Sequence, residues 1–330
     1  MPASRSPRVT HFNDCAFVGQ ALVRAAARAG LDWGYVEPAR VRPAAGFRGG
    51  RHLPAELPYI ARHERVALTS DVLHIHYATS VPLMRKPYLP RRPYALHLHG
   101  TDIRTQWAAP ETHALVQSAI DGAIAVYYTN IDTAEQATAA RADATYMAGF
   151  VQLELLPEWT PSPDERRTLA FASRWDDSKN VQRQLEFVRA LKPALPAGVR
   201  MVGLDWGPQA ADAAALGVEL VPPGSHAEYL RWLAGADVVI GQAAGILAVS
   251  EREAMAIGPA LVVPTALIGD AGELPVLGGS IPDAVEQTVV ALADPRAASE
   301  RLDARAYIAE HFTADRWIPE LDALYRSAAR

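Results

Sequence analysis

Short apolar runs alternate with longer amphipathic segments along the first half of the chain. These runs predict strands at 8–12, 33–37, 71–77, 94–99, 122–128 and 143–147. After the first of them, the segment at 16–30 has helical spacing and ends at Gly30, which favours a helix terminating there. Several runs are apolar without alternation, as is typical of strands covered on both faces. The pattern therefore predicts a parallel α/β architecture.

A second series of apolar runs and amphipathic segments begins at residue 168. It predicts strands at 168–173, 199–204, 218–221, 237–241 and 260–264, and helices at 179–192, 226–235 and 248–257. Between the two series, PEWTPSPDERRT at 157–168 combines three prolines and five charged residues without apolar spacing, which favours an interdomain linker. The last segment, 313–330, has one apolar helical stripe, so it is expected to pack against another part of the protein.

The composition is that of an ordinary globular protein with two domains. The 330 residues are 49% hydrophobic and 21% charged, and one core rarely covers a chain of this length. The net charge of −5 gives no global attraction for nucleic acid or anionic membranes. The single Cys15 excludes an internal disulfide, and no signal peptide or long apolar span is recognised, so a cytoplasmic protein is expected.

Two His-x-His pairs end neighbouring predicted strands, His74 with His76 and His97 with His99. Residues two apart on a strand share a face, so each pair projects its imidazoles the same way. A metal site would need further ligands at supporting spacings, and the later histidines sit in helical or turn contexts, so no metal site is predicted. We expect His74 and His97 to be packed inside, whereas His76 and His99, nearer the strand ends, are the functional candidates.

Ligands of open parallel sheets lie beyond the carboxyl ends of the strands, which draws attention to SRWDDSKN at 173–180. Arg174 and Lys179 lie close to a helix predicted to start near Ser178, and two cations beside the positive end of a helix suit a di-anionic phosphate group. The alternative is a pair of solvated cations facing the aspartates at 176 and 177. Both interpretations stay open on the local sequence.

The run SEREAMAIG at 250–258 predicts another helix start, with Ser250 as its cap. Glu251 and Glu253 stand two apart in the first turn and diverge, which argues against a paired acid and base. One of them could accept hydrogen bonds from a sugar or ribose hydroxyl. The alternative is that both only stabilise the start of the helix.

Two loops in the first half, 39–51 and 84–94, concentrate positive charge among aromatic residues. Their cations are Arg40, Arg42, Arg48, Arg51, Arg85, Lys86, Arg91 and Arg92. Solvated loops are the simplest interpretation, and an anionic acceptor or a membrane surface is the alternative. Nucleic acid is not predicted, because no recognised binding module accompanies the charge.

Four stretches, in this order, resemble the family-4 retaining glycosyltransferases of the GT-B fold. They are HLHGTDIR at 97–104, FASRW with KN at 171–180, ADVVIG with EREAMAIGPALVV at 236–263, and HFTADRWIPELDALY at 311–325. The resemblance implies an α/β protein with two Rossmann-like domains facing across a cleft. An acceptor domain would span 1–157, with 313–330 returning to it, and a nucleotide-sugar donor domain would span 158–312.

The resemblance also implies roles for individual residues. Arg174 and Lys179 would neutralise the donor diphosphate, and Glu253 would hold the ribose hydroxyls. His99 would lie beside the donor sugar, in the motif that ends at Asp102. Ser250 would place the helix start in the same donor site.

The sequence departs from the family pattern at two places. Gly245 occupies the position of a second family glutamate near the transferred sugar, for which Glu251 is a possible substitute. The glycine-rich loop after the first strand is missing, and Asn13 and Asp14 are expected there, facing acceptor or donor.

The resemblance implies retaining transfer of a sugar from a nucleoside-diphosphate sugar to a hydroxyl acceptor. The expected mechanism is front-face, without metal or cofactor, because fixed cations and helix N-termini take the electrostatic role of a metal. The expected location is cytoplasmic, with peripheral association at the inner face of a membrane as an option. The alternatives are a sugar-nucleotide epimerase of the same fold and a noncatalytic two-lobed sugar-binding protein.

Overall fold

The computed structural model describes residues 6–14, 16–162, 166–268 and 274–330. The chain divides into two compact units: unit 1 is Met1–Phe150 with Ala314–Arg330, and unit 2 is Val151–Thr313. The first division falls seven residues before the predicted boundary at 157. Cys15, which the sequence singled out as the lone cysteine, lies outside the described residues.

The predicted interdomain linker at 157–168 belongs to unit 2 in its described part. The Trp159 indole donates to the Ala236 carbonyl at 2.8 Å, and the Thr160 amide donates to the Ala234 carbonyl at 3.1 Å. The prolines at 157 and 161 disfavour regular structure, but the Trp159 ring still contacts the rest of unit 2. Residues 163–165 lie outside the described part of the chain.

Unit 1 contains a parallel sheet of six strands in the order β2-β1-β3-β4-β5-β6. The strands are β1 Val9–Phe12, β2 Gly34–Val36, β3 Val72–His76, β4 Tyr94–Leu98, β5 Ala125–Tyr128 and β6 Thr145–Tyr146. Its helices before residue 150 are α1 Val18–Arg28, α2 Leu53–Thr69, α3 Val81–Met84, α4 Pro110–Asp121 and α5 Ala134–Ala140. All six predicted strands of the first half are confirmed, and the first helix ends two residues before Gly30.

Unit 2 contains a second parallel sheet of six strands, in the order β12-β11-β10-β7-β8-β9. The strands are β7 Thr168–Phe171, β8 Arg200–Leu204, β9 Glu219–Val221, β10 Val238–Ile240, β11 Ala260–Val263 and β12 Leu277–Gly278. The helices are α6 Val181–Leu191, α7 Ala210–Ala215, α8 His226–Ala234, α9 Val249–Ile257, α10 Ile281–Ala293, α11 Pro295–Leu302 and α12 Ala304–His311. This order is that of the Rossmann fold, whose switch point lies between the first and fourth strands, here β7 and β10.

The last helix, α13 at Ile318–Ala328, returns to unit 1 and packs on one face of its sheet. Its buried residues Ile318, Leu321 and Tyr325 join a core with α1 and with Val9 and Val72 of the strands. The apolar stripe predicted at the end of the sequence therefore has its packing partner. The opposite face of the sheet has a separate core, which includes Phe12, Leu73 and Leu96.

Candidate functional site

The two loops that follow β7 and β10 lie side by side at the switch point of unit 2. The Ala243 amide donates to the Lys179 carbonyl at 3.2 Å, and the Asn180 side chain donates to the Ala243 carbonyl at 3.1 Å. These bonds connect the loop of Arg174 and Lys179 to the loop of Gly245. Ligands of such sheets bind at this point, so the sequence-predicted cations are placed where a ligand is expected.

The loop before α6 is shaped by Asp176. Its carboxylate accepts hydrogen bonds from the Ser178 amide at 2.9 Å and the Ser178 hydroxyl at 2.5 Å. A 3₁₀ turn at Asp177–Lys179 follows, and Asn180, with a φ of 54°, leads into α6. The helix therefore starts at Val181, not near Ser178 as predicted. The reason is that the Asp176 side chain accepts the hydrogen bond of the Ser178 amide and so stabilises a turn there.

Arg174 is held by its own loop. Its guanidinium forms an ion pair with Asp176, donates to the Ser178 hydroxyl at 3.2 Å and lies 5.6 Å from the centre of the Trp206 ring. This arrangement corresponds to the alternative in which the cation faces a loop aspartate. For Arg174 to bind a phosphate group, that group must replace Asp176 as its partner.

The backbone of Lys179 is fixed on two sides. Its carbonyl accepts from the Gln184 side chain at 2.8 Å in addition to the Ala243 amide. Lys179 is half-buried on this backbone, at the switch point of unit 2. The loop therefore holds Lys179 through its backbone, whereas it holds Arg174 through its guanidinium.

Gly245 adopts a left-handed conformation, with a φ of 80°. Its carbonyl accepts a hydrogen bond from the Ile268 amide at 2.8 Å, which fixes this conformation. A glutamate at this position would be strained by its Cβ atom. The departure from the family pattern is therefore part of the loop's geometry.

The helix α9 begins at Val249 with Ala248 as its cap, so the prediction that Ser250 caps it was wrong. Glu251 provides the reason: its fully buried carboxylate accepts from the Ala248 amide at 2.9 Å, the Gln242 amide at 3.2 Å and the Ser250 hydroxyl at 3.1 Å. These bonds join the helix to the loop after β10. A carboxylate engaged in this way does not fit the expectation that Glu251 replaces the missing family glutamate.

Glu253 lies two residues after Glu251 and has a different partner. It accepts a hydrogen bond from Nε2 of His226 at 2.7 Å, and this partner raises the pKa of the His226 imidazole. His226 is the first residue of α8. It is one of the later histidines in helical or turn contexts, and its stretch VPPGSH at 221–226 follows a strand and opens a helix, which is the signal by which the sequence marks it.

Five histidines form a column on the face of the unit 1 sheet covered by α1 and α13. The ring centroids are 4.8 Å apart for His74 and His76, and 4.9 Å apart for His97 and His99, so each predicted pair does share a face. The register adds His11, which pairs with His74 across strands and was missed because β1 carries a single histidine. His76 is fully buried, so it does not reach the surface that its place near the strand end suggested.

The column brings possible metal-ligand atoms close together. Within the described residues, one group is Asp14, His76 and His99, whose ligand atoms lie within 4.8 Å of one another, and a second combines His11, His74 and His76. Imidazoles bind one ion when their in-plane lone pairs converge. The rings of His74 and His76 are inclined by only 15°, which directs their lone pairs side by side and disfavours chelation by that pair.

Three of the imidazoles form a hydrogen-bonded chain. Nδ1 of His11 lies 3.2 Å from Nε2 of His76, and Nδ1 of His76 lies 3.1 Å from Nε2 of His99. Nδ1 of His99 lies 3.2 Å from the Thr129 hydroxyl, which donates to the Leu98 carbonyl. Because Thr129 uses its proton there, it accepts from His99, and all three imidazoles are assigned as Nδ1–H tautomers.

The chain limits what His99 can do. Both ring nitrogens already have partners, and only 8% of the residue is exposed. A bound sugar can therefore meet its ring edge, or must displace Thr129 or His76 from it. Burial lowers the pKa of His99 to about 4 and that of His11 to about 3, so both are neutral near pH 7.

Asp102 is fully buried and anchors the strand ends. It accepts from the amides of His99 at 2.7 Å, Ile103 at 3.1 Å and Ala78 at 3.1 Å. Burial raises its pKa to about 6, although these amides oppose the shift. A carboxylate with these partners holds β4 to the segment after β3, and its predicted place among donor-binding residues does not fit this geometry.

The end of β1 lies at the switch point of unit 1, where β1 and β3 are neighbours. Asn13 has a φ of 64°, and its side-chain amide donates to the Ser80 hydroxyl at 2.6 Å. Asp14 accepts from the Gln20 amide at 2.9 Å and the Tyr35 hydroxyl at 3.2 Å. Phe17 and Tyr77 also have positive φ values. Such strain concentrates at functional sites, which makes this edge a second candidate binding region.

Several cations of the basic loops have structural partners. Arg92 donates to the Ala67 carbonyl at 2.8 Å near the end of α2, and Arg85 lies over the Tyr94 ring. Arg91 is exposed, as is Tyr88. No helix among the described residues is both long and apolar enough to cross a membrane.

Solved structures of similar fold cover nearly the whole chain. The catalytic domain of starch synthase IV from Arabidopsis thaliana, bound to ADP and acarbose, has a TM-score of 0.66 at 12% identity, and the match covers 98% of this chain and 100% of that domain. HepE from Anabaena, in complex with UDP and glucose, has a TM-score of 0.63 at 14% identity, covering 97% and 100%. AviGT4, a glycosyltransferase of avilamycin A biosynthesis, has a TM-score of 0.61 at 18% identity, covering 98% of each chain.

The chain spans 57% of a further structure, TarM, which matches 81% of this chain with a TM-score of 0.60 at 13% identity. No protein-family model and no curated protein matches the sequence. At these identities the likeness shows the fold. It confirms the predicted α/β class with two Rossmann-like domains.

Proposed function

We propose that the protein is a glycosyltransferase that moves a sugar from a nucleoside-diphosphate sugar to a hydroxyl acceptor. The observation that carries the proposal is the pair of joined loops at the unit 2 switch point, where Lys179 is fixed beside the loop of Gly245. The first turn of α9 adds Glu253. ADP and UDP in the structures of similar fold support a nucleotide as the ligand.

In this proposal Lys179 and Arg174 neutralise the diphosphate, with the phosphate oxygens replacing Asp176 at Arg174. Glu253 binds the ribose, and His99 contacts the sugar through its ring edge. Fixed cations stabilise the leaving group without a metal or a further cofactor. No side chain is assigned as a nucleophile, so the acceptor attacks from the face that the diphosphate leaves, its proton passes to a phosphate oxygen, and the configuration is retained.

The acceptor is assigned to unit 1, at the edge formed by Asn13, Asp14 and Tyr77. The chain division 1–157 with 313–330 and 158–312 then separates acceptor and donor binding. The exposed basic loops suit an anionic acceptor or the inner surface of a membrane, which is compatible with a cytoplasmic protein associated peripherally.

The proposal is tested by measuring thermal stabilisation and sugar transfer with UDP, GDP, dTDP and ADP sugars. One nucleotide should raise the melting temperature, and its sugar should be hydrolysed slowly or transferred to an added acceptor with retained configuration. An altered sugar nucleotide formed without any acceptor would instead identify an epimerase. Binding of free sugar without nucleotide would favour a noncatalytic binding protein.

We expect activity to be unchanged after exhaustive treatment with EDTA, because the fixed cations of unit 2 take the place of a metal. Turnover is compared before and after treatment, with a buffer-exchanged sample as control. Activity lost on chelation and restored by zinc would contradict metal independence and would revive the histidine column as a metal site.

Charge reversal at Arg91 tests the acceptor surface. If the basic loops only bind water, Arg91→Glu should leave turnover of a soluble neutral acceptor within about twofold of the wild type, because an exposed charge contributes little. Arg92 is unsuitable for the same test, since its bond to the Ala67 carbonyl makes it structural. If Arg91→Glu instead lowers turnover strongly with an anionic acceptor, and high salt lowers the turnover of the wild type with that acceptor as well, the loops bind an anionic acceptor.

A further inference from the structure

His226 and Glu253 connect the first turns of two helices in unit 2. The position of His226 is set by a reciprocal cap: the Ser225 amide donates to Glu228 at 2.7 Å, and the Glu228 amide donates back to the Ser225 hydroxyl at 3.3 Å. Glu253 lies within α9, whose start is held by the buried Glu251. Both members of the pair therefore project from rigid backbone.

The bond between them uses one carboxylate oxygen. Nε2 of His226 donates to Oε1 of Glu253 at 2.7 Å, and 8% of the Glu253 side chain is exposed, compared with 35% for His226. The neighbouring Tyr229 does not compete for this carboxylate, since its hydroxyl donates to the Ala172 carbonyl at 2.9 Å. The histidine thus fixes the rotation of the carboxylate and leaves Oε2 to meet an incoming hydroxyl group.

We propose that His226 is a positioning and specificity-determining residue, which aims Oε2 of Glu253 at the ribose 2′-hydroxyl of the nucleotide. The inference rests on the proposed function, because it takes a nucleoside diphosphate as the ligand. A site built to bind a hydroxyl rejects the analogue that lacks it, since its buried polar group is left without a partner. The pair therefore selects ribonucleotides over 2′-deoxyribonucleotides.

The test measures dissociation constants by calorimetry for UDP, 2′-deoxy-UDP, ADP and 2′-deoxy-ADP. The wild type should bind the ribonucleotide about tenfold more tightly than its deoxy form, which corresponds to one hydrogen bond of about 1.4 kcal/mol. His226→Phe should reduce this preference to less than about threefold, chiefly by weakening the binding of the ribonucleotide. His226→Gln, whose amide can still donate, should restore most of the preference.

A double-mutant cycle separates positioning from general damage. Glu253→Ala should abolish the preference by itself, and adding His226→Phe to it should cause no further change. If His226→Phe does not fold, His226→Asn, whose shorter amide falls short of Glu253, takes its place in the cycle. A merely structural histidine would weaken the binding of both nucleotides equally in the wild-type and Glu253→Ala backgrounds.

The outcomes distinguish the inference from the proposed function. If the wild type binds none of UDP, ADP, GDP and dTDP, the proposed function fails and the inference fails with it. If it binds a ribonucleotide and its deoxy form equally, or if His226→Phe keeps the full preference, the inference is overturned while the glycosyltransferase proposal stands.

Discussion

Replacing Lys179 with alanine is expected to lower turnover by two to three powers of ten, about 3–4 kcal/mol of transition-state stabilisation. Negative charge builds on the diphosphate as the sugar leaves it, so a fixed cation there stabilises the transition state more than the bound donor. The Michaelis constant for the donor should therefore change less than the turnover number. Folding should be little affected, because a partly exposed lysine contributes little to stability.

The measurement is steady-state transfer at saturating donor, with a thermal melt of each variant. Lys192→Ala is the matched control, because Lys192 is an exposed lysine of the same unit, in the 3₁₀ turn that follows α6. It should retain full turnover. A folded Lys179→Ala enzyme with near-normal turnover would falsify the diphosphate role, and the Arg174 assignment on the same loop would weaken with it.

Acid is expected to destabilise unit 1 steeply, beginning just below neutral pH. Burial lowers the pKa of all five column histidines, to about 3 for His11 and about 4 for His99. The unfolded chain therefore takes up protons below pH 6.5 while the folded column does not, so stability is complete above that pH and falls as the pH drops. Five such groups amount to about 3 kcal/mol lost between pH 7 and pH 6.

Asp102 has the opposite effect on stability as the pH falls, and its effect begins at a lower pH. Its raised pKa of about 6 means that the folded state binds a proton before the unfolded state does, so its contribution to stability grows as the pH falls below 6. The raised pKa of Asp14 acts in the same sense. The loss from the histidines therefore begins near pH 7 and steepens below pH 6, where these two carboxyls offset only part of it.

Urea unfolding at a series of pH values checks this expectation. His97→Phe keeps an aromatic ring in the column and should reduce the slope of stability against pH by up to about 1.4 kcal/mol per unit. The control, His113→Gln, removes an exposed histidine and should leave the slope nearly unchanged. A stability that stays flat from pH 7 to pH 6 would show that the column is already charged or open to water.

The strands could be predicted from the sequence because each is a short apolar run between breaking residues. Helix starts were less accurate, and α9 shows why: local preference favours Ser250 as the cap, but the buried Glu251 reaches back to the Ala248 amide and moves the start. The helix α2 was not predicted, because Pro58 and its charged residues obscure the apolar spacing. Tertiary packing decided both cases.

The resemblance to a family located the loops of the candidate site but not the partners of their side chains. The ion pair of Arg174 with Asp176 was foreseen as one of two alternatives, since both residues lie in one short stretch. The bond from His226 to Glu253 joins residues 27 positions apart, and that from His99 to Thr129 joins residues 30 apart. Contacts across such separations follow from sheet order and loop placement, which local patterns do not specify.

The return of α13 to unit 1 has a consequence for synthesis on the ribosome. The Tyr325 hydroxyl lies 2.6 Å from Nδ1 of His74, and Leu321 is fully buried beside it. The strands of unit 1 thus emerge before unit 2, while the helix that covers their histidine face is made after the whole of unit 2. Until then the nascent chain carries an open apolar and imidazole-lined surface, which makes it a natural client for chaperones that bind chains still being translated.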